Sequence, residues 1–173
     1  ARGDHQIGTV WCAGPSLMHS YFRNPEATEE ALVDGWLDTG DMGYLADGYL
    51  YIVGRAKDMI IINGKNHWPQ DIEWAVEQLP GFNHGDIAAF SVEDEGGEEA
   101  PAVLVHCRVS EEDERVRLRD SIKEKVQAVT GMNCVVELVP PRTLPRTSSG
   151  KLSRAKAKRL YLSGEIEPYE LAA

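Results

Sequence analysis

Three short clusters hold residues whose types and spacing can do chemistry. The first, Gly35-Trp36-Leu37-Asp38-Thr39-Gly40-Asp41, is a glycine-flanked loop ending in a carboxylate. A carboxylate accepts two hydrogen bonds at once, so Asp41 could hold vicinal sugar hydroxyls; Thr-Gly-Asp is equally an ordinary turn. The second is Gly54-Arg55-Ala56-Lys57-Asp58, followed by Ile60–Ile62 and then Asn63-Gly64-Lys65-Asn66-His67. Charges directly before an apolar strand read as an exposed joint or as a polar hairpin connection. His67 has no His or Cys partner at ligand spacing, so no metal site is expected. The third is Leu144-Pro145-Arg146-Thr147-Ser148-Ser149-Gly150-Lys151, a pliable loop from which Lys151 can project a point charge toward phosphate or carboxylate oxygens. It is not a P-loop. No glycine lies five residues before Gly150, and Leu152 stands where Ser or Thr is needed.

The elements that must position these clusters follow from periodicity and punctuation. A strand over 7–12 ends in the turn at Gly14-Pro15, and Asn24-Pro25 opens a helix over 26–32. A turn at 38–41 precedes a strand over 43–46. Asp47-Gly48 suits a type I′ hairpin, with 49–53 as the returning strand. The apolar run 59–62 reads as a buried strand and 63–66 as a loop. Pro69 opens a helix with Ile72, Val76 and Leu79 on one face, stopped by Pro80-Gly81. Strands over 87–92 and 102–109 are joined by an acidic loop. A helix over 111–130 carries the stripe Leu118, Ile122, Val126 and Val129, with Glu111–Arg115 and Asp113–Arg117 pairs outside. Gly131 ends it, 135–139 is a further strand, and Ser153 caps a last helix reaching Leu162. From Met59 onward this is an α+β domain with helices packed on a small sheet. The part before Arg55 has too few elements to close a core and reads as the tail of a preceding domain.

Composition narrows the class of partner. The formal net charge is −10, which disfavours nucleic acid and anionic membranes. Acidic residues crowd 93–99 and 111–114, whereas 140–164 carries only basic charges. Those basic residues lack interleaved aromatics, so they do not form a nucleic-acid patch. No apolar run reaches the length of a membrane span. Cys12, Cys107 and Cys134 stand far apart, which reads as three small hydrophobes in the cytoplasm. The first ten residues have neither a methionine nor a secretory layout, as in a processed or excised chain.

Taken in order, the three clusters resemble the adenylate-forming superfamily of acyl-CoA synthetases, peptide-synthetase adenylation domains and luciferases. Residues 8–21 and 25–41 look like the end of that family's large N-terminal domain. Gly54-Arg55-x-Lys57-Asp58 resembles its interdomain junction, and Pro145-x-x-x-x-Gly150-Lys151 its late lysine loop. Gly64-Lys65-Asn66-His67-Trp68-Pro69-Gln70-Asp71-Ile72-Glu73 is similar to a run typical of fatty acyl-AMP ligases, with Lys65 for the usual arginine and Trp68 for tyrosine.

The resemblance implies residues 1–56 as the β-rich end of an N-terminal adenylation domain and 57–173 as a mobile α+β C-terminal domain with a mixed sheet. It implies that Asp41 and Arg55 contact the ribose of ATP or AMP, Lys57 is the hinge, and Lys151 bridges a fatty-acid carboxylate and the α-phosphate. The Gly64 loop would then line the path of a pantetheine thiol. Mg²⁺ would accompany ATP, with its ligands outside this segment. The acceptor would be an acyl carrier protein, docked on the basic helix, with coenzyme A as the alternative. A catalytically silent interaction domain of the same fold is the reading from a different class, and retention of Asp41, Arg55 and Lys151 together argues against it. The chain alone is expected to be inactive.

Overall fold

In a computed structural model of the protein, residues 3–62, 64–93, 97 and 99–171 are described. Asn63 of the expected loop and residues 94–96 and 98 of the acidic run lie outside them. The chain forms two compact units, Ala1–Lys57 and Asp58–Ala173.

The first unit is an antiparallel sheet built on one long strand. Its elements are β1 (Gly8–Cys12), α1 (Pro25–Ala31), β2 (Leu32–Val33), β3 (Trp36–Ala46) and β4 (Tyr49–Arg55). Strand β3 pairs with β1, with β2 at its first residues and with β4 along its second half. Asn24 caps α1 by accepting the Ala27 N–H at 3.1 Å, and Pro25 occupies the first turn, where its missing N–H costs nothing. Asp47 and Gly48 both have positive φ, 51° and 80°, as a type I′ hairpin demands.

The expected turn at 38–41 is corrected. Those residues lie inside β3, because β1 pairs with Asp38 and β4 with Asp41, supplying the ladder partners that a local turn would otherwise have provided. Gly40 keeps its positive φ of 70° within the strand, and the ladder with β4 shifts register between Met42 and Gly43.

The second unit carries the core. Its elements are β5 (Ile60–Ile62), β6 (Lys65–His67), α2 (Pro69–Glu77), β7 (Ile87–Glu93), β8 (Glu99–His106), α3 (Glu112–Thr130), β9 (Val135–Val139) and α4 (Arg154–Leu162). Strand β8 pairs antiparallel with β7 and parallel with β9, so the sheet is mixed. Alternation in β7 splits its residues between two cores. Ile87 and Ala89 pack with α2 and α3 through Ile72, Val76, Ile122 and Val126. Ala88, Phe90 and Val92 pack on the other side with Ala157 of α4 and Leu144. Helices thus cover both faces of a mixed sheet, the α+β arrangement expected from the sequence.

Several expectations in this unit need correcting. Lys65 and Asn66, expected in the loop, belong instead to strand β6, paired Ile60↔His67 through Ile62↔Lys65, with Gly64 at φ 71° turning the chain between the strands. On α3, Val129 is 48% exposed and Thr130 is buried in its stead, its hydroxyl bonded back to the Val126 carbonyl at 2.9 Å. Arg115 does not decorate the outside with Glu111. It donates to the Val109 carbonyl at 2.8 Å and lies 3.7 Å over the Tyr169 ring. Ser153 sits at the N-cap of α4, but its side chain makes no capping bond.

Candidate functional site

Asp41 and Arg55 meet across the β3–β4 ladder, where they are register partners. The Arg55 Nε donates to Asp41 Oδ1 at 3.0 Å, and both side chains stay partly in water. The Asp41 N–H donates to Thr39 Oγ1 at 3.1 Å, while that hydroxyl donates to the Val10 carbonyl at 2.8 Å. Gly40 N–H donates to Asp38 Oδ1 at 2.8 Å. A carboxylate beside a guanidinium, on a backbone pinned from both neighbours, is therefore offered on an accessible strand. Lys57 is exposed in the 3₁₀ turn Ala56–Asp58, at the boundary between the two units.

Gly64 and Lys151 belong to the second unit, both exposed. The lysine loop is not slack. Thr147 N–H donates to the Lys151 carbonyl at 2.7 Å, Gly150 N–H to the Thr147 carbonyl at 2.9 Å, and Lys151 N–H to Thr147 Oγ1 at 3.2 Å. Arg146 bridges the loop, donating to the Gly150 carbonyl at 3.0 Å and the Gly85 carbonyl at 3.1 Å. Gly150 takes φ 80°, a conformation that side chains resist, and so closes the turn before the lysine. Among the described residues nothing pairs with the Lys151 ammonium. The backbone of Lys151 is fixed while its charge is free.

Further residues brace this loop, and the motifs single out none of them for that task. Downstream, Arg154 donates through Nε and Nη2 to both oxygens of Glu73, each at 2.7 Å, and through Nη1 to Asp58 at 3.4 Å. Glu73 also accepts the Ala89 N–H at 3.0 Å. Burial pushes the Glu73 carboxyl up against the pull of Arg154, while the hydrogen bonds to Glu73 raise the Arg154 guanidinium, keeping it charged. Two short charge-assisted bonds in a fork are the geometry of an ion pair. Upstream, the Leu144 N–H donates to His106 Nε2 at 3.0 Å, and His106 Nδ1 lies 3.4 Å from Asp86 Oδ1. Arg108 grips the same carboxylate at 2.7 and 3.1 Å. Burial alone would raise the Asp86 carboxyl, but hydrogen bonds from Arg108, the Asn83 N–H and His106 outweigh it and hold it well below the usual range. One signal was legible: Glu73 falls in the stripe Pro69, Ile72, Glu73, Val76, the buried face of α2. A carboxylate there requires a partner. The partners' identities, 81 and 38 residues away for Arg154 and Leu144, left no local trace.

Among the described residues no group of three or more His, Cys, Asp or Glu side chains could hold a metal ion. Among them, too, no helix is long and apolar enough to cross a membrane.

The second unit thus joins a mixed sheet covered by helices to a braced loop that carries the exposed Lys151. The family described as AMP-binding enzyme C-terminal domain matches residues 64–160, and the chain belongs to it. It is 48% identical, over 91% of its length, to a putative acyl-CoA synthetase of Caulobacter vibrioides, covering 28% of that protein. It is 33% identical to a long-chain-fatty-acid–AMP ligase of Mycobacterium marinum, over 91% of this chain and 30% of the relative. A solved structure from work on fatty acyl-adenylate ligases of E. coli and L. pneumophila superposes with a TM-score of 0.83 at 42% identity, over 95% of this chain and 29% of that one. The chain thus spans less than a third of the length of these relatives.

Proposed function

We propose that this chain is the C-terminal part of an ATP-dependent ligase that activates a fatty acid as acyl-AMP and passes the acyl group to a pantetheine thiol. In the first half-reaction a carboxylate oxygen attacks the α-phosphorus, an O–P bond forms, and the bond to pyrophosphate breaks. Lys151 neutralises charge gathering between the carboxylate and the α-phosphate. Asp41 accepts hydrogen bonds from the ribose hydroxyls, and Arg55 holds that carboxylate while contacting the same sugar. In the second half-reaction the thiol sulfur attacks the acyl carbonyl and loses its proton, a C–S bond forms, and AMP leaves. Torsion at Lys57 exchanges the two arrangements, bringing the Gly64 loop to line the thiol's path. Residues 1–56 are then the end of the large adenylation domain and 57–173 the moving domain. The other parts of the site lie beyond this chain, which alone is inactive. Mg²⁺ supplies charge neutralisation at the phosphates from ligands outside it. The enzyme is cytoplasmic.

The observation that carries this reading is the unpaired Lys151 ammonium on a loop whose backbone is fixed by its own hydrogen bonds. Removing one such preorganised donor costs about 3–4 kcal/mol, or roughly two to three orders of magnitude in rate. In the full-length protein, Lys151→Ala should lower fatty-acid-dependent ATP–pyrophosphate exchange by about that factor. Undiminished exchange would refute the role.

For the acceptor, the run from Gly64 to Glu73 and the likeness to the M. marinum ligase favour a carrier protein. The likeness to the C. vibrioides synthetase favours coenzyme A as the second reading. Product analysis with ATP, fatty acid and either coenzyme A or a pantetheinylated carrier separates them: thioester forms only with the true acceptor.

A further inference from the structure

A histidine buried at the end of β8 takes a backbone hydrogen bond from the start of the lysine loop. His106 is 5% exposed and Asp86 4% exposed, so both have given up most of their water. Two bonds account for the ring. A backbone N–H can only donate, so His106 Nε2, 3.0 Å from the Leu144 nitrogen, must be the acceptor. In a neutral imidazole the hydrogen then sits on Nδ1, which faces Asp86 Oδ1 at 3.4 Å. The Asp86 backbone carbonyl also accepts the His106 N–H at 2.8 Å, tying the two residues together twice. Leu144 is itself buried, and six residues beyond it come Gly150 and then Lys151. Among the described residues this ring nitrogen is the one acceptor of the buried Leu144 N–H.

We propose that His106 is a positioning residue for adenylation: as the Nδ1–H tautomer held by Asp86, it accepts the Leu144 N–H and so sets where the Lys151 loop departs from the sheet. The proposal rests on the role of Lys151 given above. Protonation of the ring places a hydrogen on Nε2, and the Leu144 N–H then loses its acceptor. The groups facing the ring oppose one another. Asp86 favours the charged imidazole, whereas burial first, then Arg108 beyond β8 and Arg146 on the loop, disfavour it, and the net effect lowers its proton affinity. Ring and carboxylate also line an open depression of about 640 Å³ with Arg108, Arg142 and Arg146, so protons reach them from solvent. The loop is therefore held near neutrality and released in acid, below the ordinary histidine range.

Two arms test this, and they fail independently. On the 173-residue chain with labelled histidines, NMR at pH 7 should find the His106 hydrogen on Nδ1. A hydrogen on Nε2 overturns the proposal. The Leu144 amide should be protected from exchange; His106→Leu should cut that protection about tenfold or more, and His106→Gln, whose carbonyl can take the acceptor's place, should restore most of it. Protection unchanged in His106→Leu also overturns it. In the full-length enzyme, His106→Leu should lower kcat for pyrophosphate exchange about tenfold with KM for ATP little changed, as expected for a lost buried acceptor. His106→Gln should keep most of kcat and lose the wild type's acid limb. An acid limb that persists unchanged in His106→Gln counts against the switch. If the wild-type enzyme shows no exchange at all, the proposed function falls, and the NMR arm still decides the tautomer and the bond. If His106→Leu fails to fold, His106→Gln and the wild-type tautomer carry the decision.

Discussion

A guanidinium with 19% of its side chain in water is held at Arg154 chiefly because Glu73 meets it with both oxygens, with Asp58 taking a longer third bond. Removing one partner of a buried pair strands the other's charge. Glu73→Gln should therefore destabilise the chain by about 3–5 kcal/mol, read from urea unfolding, whereas replacing both residues with leucine should recover much of the loss. A loss under about 1 kcal/mol would mean that Arg154 relaxes into solvent instead. Asp86 carries a second residue-scale expectation, in pH. Its folded carboxyl is held below the unfolded value, so as pH falls the unfolded chain takes the proton first. The stability it lends is full above the ordinary carboxylate range and disappears through the acid range below it. The unfolding midpoint should fall on acidification from pH 5 to pH 3, and Asp86→Asn should flatten that fall while lowering stability at pH 7. An equal slope in both proteins would remove Asp86 from the account.

Elements differ in how much of their cause is local. Asp47-Gly48, Pro69 and Gly131 act within their own turns, and the hairpin, the start of α2 and the end of α3 follow from them directly. Residues 38–41 and 65–67 carry turn-forming residues, yet they are strands, because their partners come from elsewhere in the sheet or across a hairpin. Helical periodicity likewise marks Ile122 and Val126, but the i, i+4 spacing continues to the polar Thr130, which is buried, rather than to the apolar Val129. That difference is measurable. Ile122 is fully buried against the sheet, so Ile122→Ala should cost about 2–5 kcal/mol through lost burial and a cavity. Val129→Ala, on a half-exposed site, should stay within about 0.5 kcal/mol. Equal losses in thermal or denaturant unfolding would return Val129 to the core. The candidate site divides in the same way. Lys151, Gly150, Arg55 and Asp41 are legible as motifs, whereas the braces Glu73–Arg154 and His106–Leu144 exist only once distant segments fold together.

Across the whole chain, apolar burial is distributed very unevenly between the two units. Every buried residue of both hydrophobic clusters lies beyond Asp58. Among the described residues of the first unit, Ala46 is the one buried hydrophobic side chain, while Trp36, Tyr49, Leu50 and Ile52 are each at least half exposed. Strands whose apolar side chains remain in water gain little to offset the entropy of ordering them. A sheet edge with such side chains is also open to pairing with other chains. The second unit, with helices on both faces of its sheet, has what an independent fold needs. A fragment of residues 58–173 should therefore unfold cooperatively, at a midpoint within a few degrees of the main transition of the whole chain. A fragment of residues 1–57 should show no cooperative transition, and should bind a hydrophobic dye or associate. Circular dichroism with temperature, together with dye fluorescence, reads both. A sharp transition in the shorter fragment would mean that its sheet is stabilised by something other than burial. Loss of cooperativity in the longer one would mean that the two clusters depend on the first unit. The uneven distribution also bears on the proposed chemistry. A unit that keeps its own core can carry Lys151 on a braced loop through the proposed reorientation at Lys57 without unfolding, as the two proposed half-reactions would require.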